Sequence, residues 1–280
     1  MKHTLCPLFR LKQRALPLAA LAAALSLYAQ PPVKLTRAEQ ETFLREAKIE
    51  KMRSARKGIT DSQQATLFDG KLRHDASVQS IDIAKSEFKT DRGTELNFKD
   101  SFKFNIAAYR LDKLMDLNLM PVYMERKIAG KTSSVGWWLD DVIGDEADRK
   151  KKKLTPPDVD AFNEQMYCVR VLVQLTANVD ANQGNLLTDK NWNLWIIDFT
   201  RAFRLMRTLP NEKDLVKIDR KFLKALRELN EPQLAGALRP YVTNDEIKSL
   251  LKRRDLIVQH FDADVAAKGE AAVLCNLPAR

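Results

Sequence analysis

NVDANQGNLLTDKNWNLWIIDFTRAF, residues 178–203, is the stretch of this sequence that decides the fold. Its first acid, Asp180, is followed five positions later by Asn185, and a second acid, Asp198, comes after two short apolar runs separated by a polar turn. Such runs predict a β-hairpin. Carboxylate and amide oxygens are the ligands that Mg²⁺ prefers, and a hairpin fixes the distance between two of them. The stretch therefore predicts the kind of divalent-cation site that phosphoryl transfer needs.

These residues also have an ordinary structural explanation. The turn-forming types among them are Asp180, Asn182, Gly184 and Asn185. Asp198 would then simply end a strand. Taken one at a time, each residue is better explained in that way. The complete order of acid, amide, two apolar strands in register and second acid favours a catalytic site instead.

The spacing from Asp180 to Asn185 matches the D-x-x-x-x-N of the protein-kinase catalytic loop, and Asp198-Phe199-Thr200 resembles its D-F-G. This resemblance to the protein-kinase-like fold implies that Asp180 is a general base and that Asn185 and Asp198 are metal ligands. It also implies ATP as the phosphate donor, with Mg²⁺ or Mn²⁺. The expected fold class is α+β, with a strand-rich small lobe and a helical large lobe.

A second segment, NIAAYRLDKLMDLNLMPVYMER at residues 105–126, narrows the resemblance. It is similar to the helix–strand segment of the secretory-pathway kinases, the four-jointed and casein-phosphorylating group, which carries E-x-A-A-x-x-L-D, then V-P-P and a closing arginine. More distantly, phosphoinositide kinases and bacterial toxin kinases share the broad core. A fold shared by so many kinases leaves the acceptor open.

Two positions depart from the pattern of that group. Asn105 stands where the group has a helix glutamate, and Gln79 stands where it has a lysine that contacts the phosphates. Two neutral amides still form hydrogen bonds, but they offer the phosphates no cation. Lys85 ends a strand-like run and is the alternative phosphate ligand, unless it is a solvated lysine on a strand edge. The candidate nucleotide-binding residues are therefore Gln79, Lys85 and Asn105.

The first 29 residues have the pattern of an export signal. Four cations and no acid are followed by an alanine-rich apolar run at Leu16–Leu27, and a cleavage point is expected after Ala29. We therefore expect the rest of the chain to be exported, periplasmic or secreted, with no stable membrane span after cleavage. An uncleaved signal would form a short anchor instead.

Beyond the signal, we expect a small lobe at residues 30–139 and a helical large lobe with the catalytic loop at 140–280. Thr36 and Glu39 have the spacing of a capping box, which predicts a leading helix that continues to Met52. Short strands are expected from residue 57 to residue 98, and helices at 100–120, from 155, and at 219–229, 231–238 and 244–261. In the absence of a G-x-G-x-x-G loop, residues 58–63 are the expected phosphate-covering turn.

The net charge limits the expected binding partners, and the cysteines raise the question of a disulfide. The net charge of +10 falls to +6 without the four cations of the signal, which is a moderate excess. The sequence has no basic stripe interleaved with aromatic residues, so nucleic acid is not an expected partner. The five cations at residues 149–153 form either a solvated loop or a contact for an acidic peptide or anionic lipid. Cys168 and Cys275 either pair or stay as buried thiols.

Two other motifs have alternative explanations. Trp137 and Trp138 either line the adenine cleft or close the core of the small lobe, and Arg201 either binds a phosphate or pairs with an acid.

The expected function is transfer of the γ-phosphate of ATP to a hydroxyl on a protein, sugar or lipid. The alternatives are a pseudokinase that binds a nucleotide or partner without transfer, and an enzyme that transfers AMP or ligates an amino acid with the nucleotide reversed.

Overall fold

The computed structural model describes residues 35–54, 62–90 and 93–278. The expected export signal at 1–29 lies outside these residues, and so does most of the expected phosphate-covering turn. All the elements below belong to the unit that begins at Arg37. No helix in the described ranges is long and apolar enough to cross a membrane.

Strands dominate the first part of this unit. Its elements are α1 Arg37–Glu46, β1 Lys48–Ser54, β2 Gln63–Phe68, β3 Arg73–Gln79, β4 Asp82–Thr90, β5 Gly93–Ser101, α2 Lys103–Leu114, β6 Tyr123–Ile128 and β7 Lys131–Trp137. Within the described residues, an antiparallel sheet has the order β1-β2-β3-β7-β6. Strand β2 shows why: Ala65 and Leu67 are fully buried between half-buried or exposed neighbours, which is the alternation of a sheet with one face on the core.

Helices dominate the second part. Its elements are β8 Val142–Asp145, α3 Glu146–Lys151, α4 Val159–Thr176, β9 Leu186–Asp189, β10 Leu194–Ile196, β11 Ile218–Asp219, α5 Arg220–Glu228, α6 Glu231–Leu238, α7 Asn244–Lys268, α8 Glu270–Val273 and β12 Leu274–Cys275. The strand-rich small lobe and the helical large lobe are thereby confirmed.

The first two predicted helices are shorter than expected. The leading helix ends at Glu46, and Met52 lies in β1 opposite Ala65 of β2. Helix α2 covers Lys103–Leu114 rather than 100–120, because residues up to Ser101 pair with β4. In both places a strand partner, which a helical periodicity does not reveal, determines the local structure.

The β4–β5 hairpin is separate from the main sheet and lies in sequence between β3 and α2. Its last residue, Ser101, donates a backbone hydrogen bond of 2.8 Å to the carbonyl oxygen of Thr200, and Lys99 forms an ion pair with Glu246 of α7. The hairpin therefore joins the small lobe to the segment that follows Asp198 and to the large lobe.

Helix α4 leads into the stretch at residues 178–203. The Asp158 side chain caps its first turn, and Ala177 ends it in the left-handed conformation, with φ of 45°.

Cys168 of this helix and Cys275 of β12 are buried free thiols. The hydrogen bond to Cys275, together with burial, raises the pKa of the Cys168 thiol. The structure thus places the two thiols side by side.

Candidate active site

Asp180 lies in the loop directly after α4. Asn178 holds this loop, because its side-chain oxygen accepts from the Asp180 N–H at 3.2 Å and its side-chain nitrogen donates to the Asp198 carbonyl oxygen at 3.2 Å. One buried amide therefore joins the two acids that are 18 positions apart in sequence. The Asp180 side chain is 46% exposed, which leaves its carboxylate accessible to a second reactant.

Asn185 is brought beside Asp198 by the β9–β10 hairpin. Leu186 pairs with Ile196, and the Ile197 N–H donates to the Asn185 carbonyl oxygen at 3.0 Å. The side-chain nitrogen of Asn185 donates to the Asp180 carbonyl oxygen at 3.2 Å. The amide oxygen of Asn185 is therefore the group available to a cation. The structure brings Asp180, Asn185 and Asp198 together, as the spacing predicts.

Asp198 has an unusual backbone and an unusual pKa. Its φ of 60° is in the left-handed region that residues other than glycine rarely adopt, and such conformations cluster at functional sites. Burial raises the pKa of its carboxyl group, and the negative charges of Asp180 and Asp100 raise it further, whereas hydrogen bonds from Thr200 oppose the shift. A bound cation would favour the ionised form of Asp198.

Asp100, at the end of β5, is an acid that the sequence analysis missed. Its side chain is 7% exposed, and its Oδ1 atom has no hydrogen-bond partner among the described residues. A buried carboxylate oxygen without a partner is costly unless a cation or donor approaches it. No local signal marks this residue, because the hairpin reaches Asp198 only through tertiary contacts.

Gln79 and Asn105 form an amide bridge across the small lobe. The Asn105 side-chain nitrogen donates to Gln79 Oε1 at 2.5 Å, and its oxygen accepts from the Phe199 N–H at 2.7 Å. Gln79 in turn donates to the Ser62 hydroxyl at 3.0 Å. The bridge joins β3, α2 and the residue after Asp198 without any formal charge.

Lys85 is not joined to these residues. It lies in the middle of β4 rather than at a strand end, its side chain is exposed, and its ammonium group is 5.1 Å from the centre of the Phe88 ring. Within the described part of the chain, Lys85 forms no hydrogen bond or ion pair with Gln79, Asn105 or Asp198. A role for Lys85 with nucleotide stays a prediction.

The two tryptophans have different surroundings. Trp137 stacks on His74, with ring centres 3.7 Å apart, and meets the edge of Phe43, so it helps to close the core of the small lobe. Trp138 is 37% exposed at the junction between β7 and the large lobe. Trp138 is therefore the tryptophan that stays accessible where the lobes join.

Two arginines follow Asp198 and share one acid. Arg201 and Arg204 form ion pairs of 2.8 and 2.5 Å with Glu95 of β5, and Arg201 Nη1 lies 3.9 Å from Asp180 Oδ1. Arg201 thus pairs with acids, one of the two expectations for it. Arg204 and Glu95 were missed. The R-x-x-R spacing after Asp198 is a possible signal for Arg204, but nothing local identifies Glu95.

No family model and no curated protein matches this sequence. Solved structures do match it. The structure of hydra Fam20 with sugar is 16% identical in sequence and has a TM-score of 0.63. The match covers 84% of this chain and 91% of the Fam20 chain. The Golgi casein kinase with Mn and ADP bound is 13% identical, with coverage of 86% and 80% and a TM-score of 0.59. The chain has a secretory-kinase-like fold.

A bacterial kinase gives a weaker match to the same fold. The Helicobacter pylori proinflammatory kinase CtkA is 10% identical, with coverage of 80% of this chain and 98% of its own, and a TM-score of 0.50. The predicted resemblance to secretory-pathway and bacterial kinases is thereby confirmed at the level of fold. These identities are too low to carry an activity or a substrate from one protein to another.

The candidate site has oxygen donors that suit a cation held together with phosphates. Among the described residues, no three His, Cys, Asp or Glu side chains are close enough to bind a metal ion alone. Mg²⁺ at phosphate-transfer sites is typically bound by one or two carboxylates together with substrate phosphate oxygens and water. The Asn185 amide, the Asp198 carboxylate and the unpartnered Asp100 oxygen fit that donor set.

Proposed function

We propose that this protein is an ATP-dependent phosphotransferase that moves the γ-phosphate to a hydroxyl group on a protein, sugar or lipid. One observation carries the proposal: Asn178 and the β9–β10 hairpin hold Asp180, Asn185 and Asp198 together by side-chain and backbone hydrogen bonds. Residues that only form a turn have no need to hold two carboxylate groups close to each other. The kinase-like fold supports the same conclusion.

Each residue of this set has a role in the proposed reaction. Asp180, with its accessible carboxylate, accepts the proton of the acceptor hydroxyl. Asn185 and Asp198 would hold Mg²⁺ or Mn²⁺ together with ATP, and the cation would supply positive charge against the phosphates. The amide bridge of Gln79 and Asn105 fixes Phe199, and so the position of Asp198, relative to the small lobe.

A pseudokinase is the second candidate, and the same amide bridge favours it. Where kinases of this fold place a lysine–glutamate ion pair, this chain has two neutral side chains that satisfy each other. A protein with this bridge binds nucleotide without a strand cation. It then acts as a nucleotide- or partner-binding module.

We also propose that the protein is exported to the periplasm or secreted. The basic start and the apolar run before residue 30 support this proposal. The test is N-terminal sequencing of the protein recovered from each cell fraction. Protein that begins near Gln30 and is found outside the cytoplasm is the expected result. Full-length cytoplasmic protein would contradict the export proposal.

Thermal unfolding with nucleotide and metal tests the proposed function. ATP with Mn²⁺ or Mg²⁺ should raise the melting temperature of the wild type in a concentration-dependent way. An Asp198→Ala variant should lose that rise. If neither ATP nor ADP shifts the melting temperature with any metal, every ATP-dependent function proposed here is wrong.

Labelled nucleotides then separate the candidates. Label from the γ-phosphate that appears on protein, sugar or lipid acceptors indicates a kinase, whereas label from the α-phosphate indicates AMP transfer. Binding without either transfer indicates a pseudokinase. Asp180→Asn should abolish γ-phosphate transfer and leave the metal-dependent thermal shift, because the general base is not a ligand of the nucleotide.

A further inference from the structure

Phosphoryl transfer in this site would need positive charge from the protein as well as from a metal ion. Negative charge is spread over the oxygens of the transferred group, and kinases place a cationic side chain against it. Strand β3 offers Gln79, and the loop at residues 178–185 contains no lysine or arginine. The cation must therefore come from another part of the chain.

The structure places Arg201 and Arg204 near Asp180, the proposed general base. Arg201 Nη1 is 3.9 Å from Asp180 Oδ1, and both guanidinium groups lie over the Phe98 ring, 5.1 and 5.5 Å from its centre. The side chain of Arg204 is only 9% exposed. The Phe98 ring and the burial of Arg204 lower the local dielectric constant. A lower dielectric constant strengthens the attraction between these cations and an anion.

The donors of these arginines are incompletely used. The Nε atoms of both side chains and Nη1 of Arg204 are buried, with no hydrogen-bond partner among the described residues. Glu95 pairs with one nitrogen of each arginine and Asp180 with a second nitrogen of Arg201, which leaves the other donors unused. Guanidinium groups stay charged at any physiological pH, and buried positive charge with unused donors is costly unless an anion completes it.

We propose that Arg201 and Arg204 bind the γ-phosphate of the donor nucleotide in place of the missing strand lysine, and that Glu95 positions them. This inference rests on the proposed function, because it needs ATP in the site. Guanidinium groups bind phosphate oxygens through paired N–H donors, so two of them can replace one ammonium group. The contact also explains why a chain with Gln79 keeps the acids of the catalytic site.

The test compares ATP with ADP. Titration calorimetry with Mn²⁺ measures both affinities for the wild type, Arg201→Gln, Arg204→Gln and the control Arg207→Gln, which changes an exposed arginine of the same segment. Arginine contacts to the γ-phosphate should make ATP bind more tightly than ADP. Each of the first two variants should lose about tenfold in ATP affinity, the size of one charge-assisted contact, while the ADP affinity is kept.

The outcomes separate the two proposals. If the wild type binds ATP and ADP but Arg201→Gln and Arg204→Gln keep the wild-type preference for ATP, the arginine site is wrong and the proposed function stands. If the wild type binds neither nucleotide, both are wrong. Arg204 is buried, and its variant can fail to fold. In that case the ATP and ADP affinities of Arg201→Gln decide, because the Arg201 side chain is 25% exposed. Arg201→Lys should restore part of the ATP preference.

Discussion

The side-chain oxygen of Asn105 accepts a hydrogen bond of 2.7 Å from the backbone N–H of Phe199. Both residues are fully buried, and they are 94 positions apart in sequence. Helix α2 therefore holds the residue after Asp198 directly. In this chain a neutral amide, and no ion pair, links the helix to the segment that contains Asp198.

Asn105→Ala should destabilise the protein. The variant leaves the buried N–H of Phe199 without an acceptor, which costs about 1–3 kcal/mol of unfolding free energy. Urea denaturation measures this loss. Gln79→Ala is the matched control, because it removes the other end of the bridge and leaves the Phe199 N–H paired, so its loss should be smaller. Equal losses in the two variants would contradict this role for Asn105.

Asp198→Asn should stabilise the nucleotide-free protein near neutral pH. The pKa of Asp198 is raised above its ordinary value of 3.8 by burial and by the charges of Asp180 and Asp100. The folded protein therefore binds this proton more tightly than the unfolded chain does, and its stability falls as the pH rises from 3.8 through the raised pKa. Asparagine does not ionise, so the variant avoids this loss.

Calorimetry over a pH series checks the prediction for Asp198. The melting temperature of Asp198→Asn should exceed that of the wild type near neutral pH, and the difference should vanish as the pH approaches 3.8. Asp180→Asn should give a smaller gain, because the Asp180 side chain is 46% exposed and better solvated. A difference that does not depend on pH would exclude ionisation as its cause.

Arg253→Met should destabilise the large lobe. Arg253 of α7 is fully buried, and it donates to the carbonyl oxygens of Leu175 and Arg204, each at 2.9 Å, and also to that of Met206. The loss of this charged donor should cost about 3 kcal/mol, because the carbonyl groups stay buried.

The Arg253 contacts also concern the catalytic segment. Arg253 ties the end of α4 to the residues that follow Asp198, so protease cleavage near residues 204–206 should become faster in the variant. Lys252→Met is the control, since it changes an exposed residue of the same helix. Equal stability of the two variants in urea denaturation would overturn the prediction.

Gly136→Ala should destabilise the small lobe. A Cβ atom at this position of β7 would lie less than 3.0 Å from the Tyr123 ring and the Ser77 hydroxyl. Overpacking of this kind costs about 1–3 kcal/mol. Burial, with the charge of Asp198, raises the pKa of the Tyr123 hydroxyl. Tyr123 therefore lies near Asp198, the proposed metal ligand, and its displacement should also weaken metal-dependent nucleotide binding.

Gly236→Ala is the matched control for Gly136. It lies in α6 with no atom within 4 Å of the added Cβ, and alanine favours helices, so the variant should gain about 0.5–1 kcal/mol. Thermal unfolding of both variants gives the comparison. A stable Gly136→Ala protein would mean that Tyr123 moves aside without cost.

The sequence by itself determined the fold class and the proximity of the three candidate site residues. Asp180, Asn185 and Asp198 are close in sequence, and one hairpin and one loop are enough to bring them together. Apolar periodicity likewise predicted the helices of the large lobe, because each helix buries one of its own faces. Local interactions decide these features, and a sequence pattern records local interactions directly.

Only the tertiary structure decided how the rest of the site is completed. The bridge from Gln79 through Asn105 to Phe199, the approach of Asp100 to Asp198 and the sharing of Glu95 by Arg201 and Arg204 all join residues far apart in sequence. These contacts depend on how the β4–β5 hairpin and α2 pack against the catalytic segment. No periodicity or spacing encodes that packing, since it is set by the combined burial of several elements.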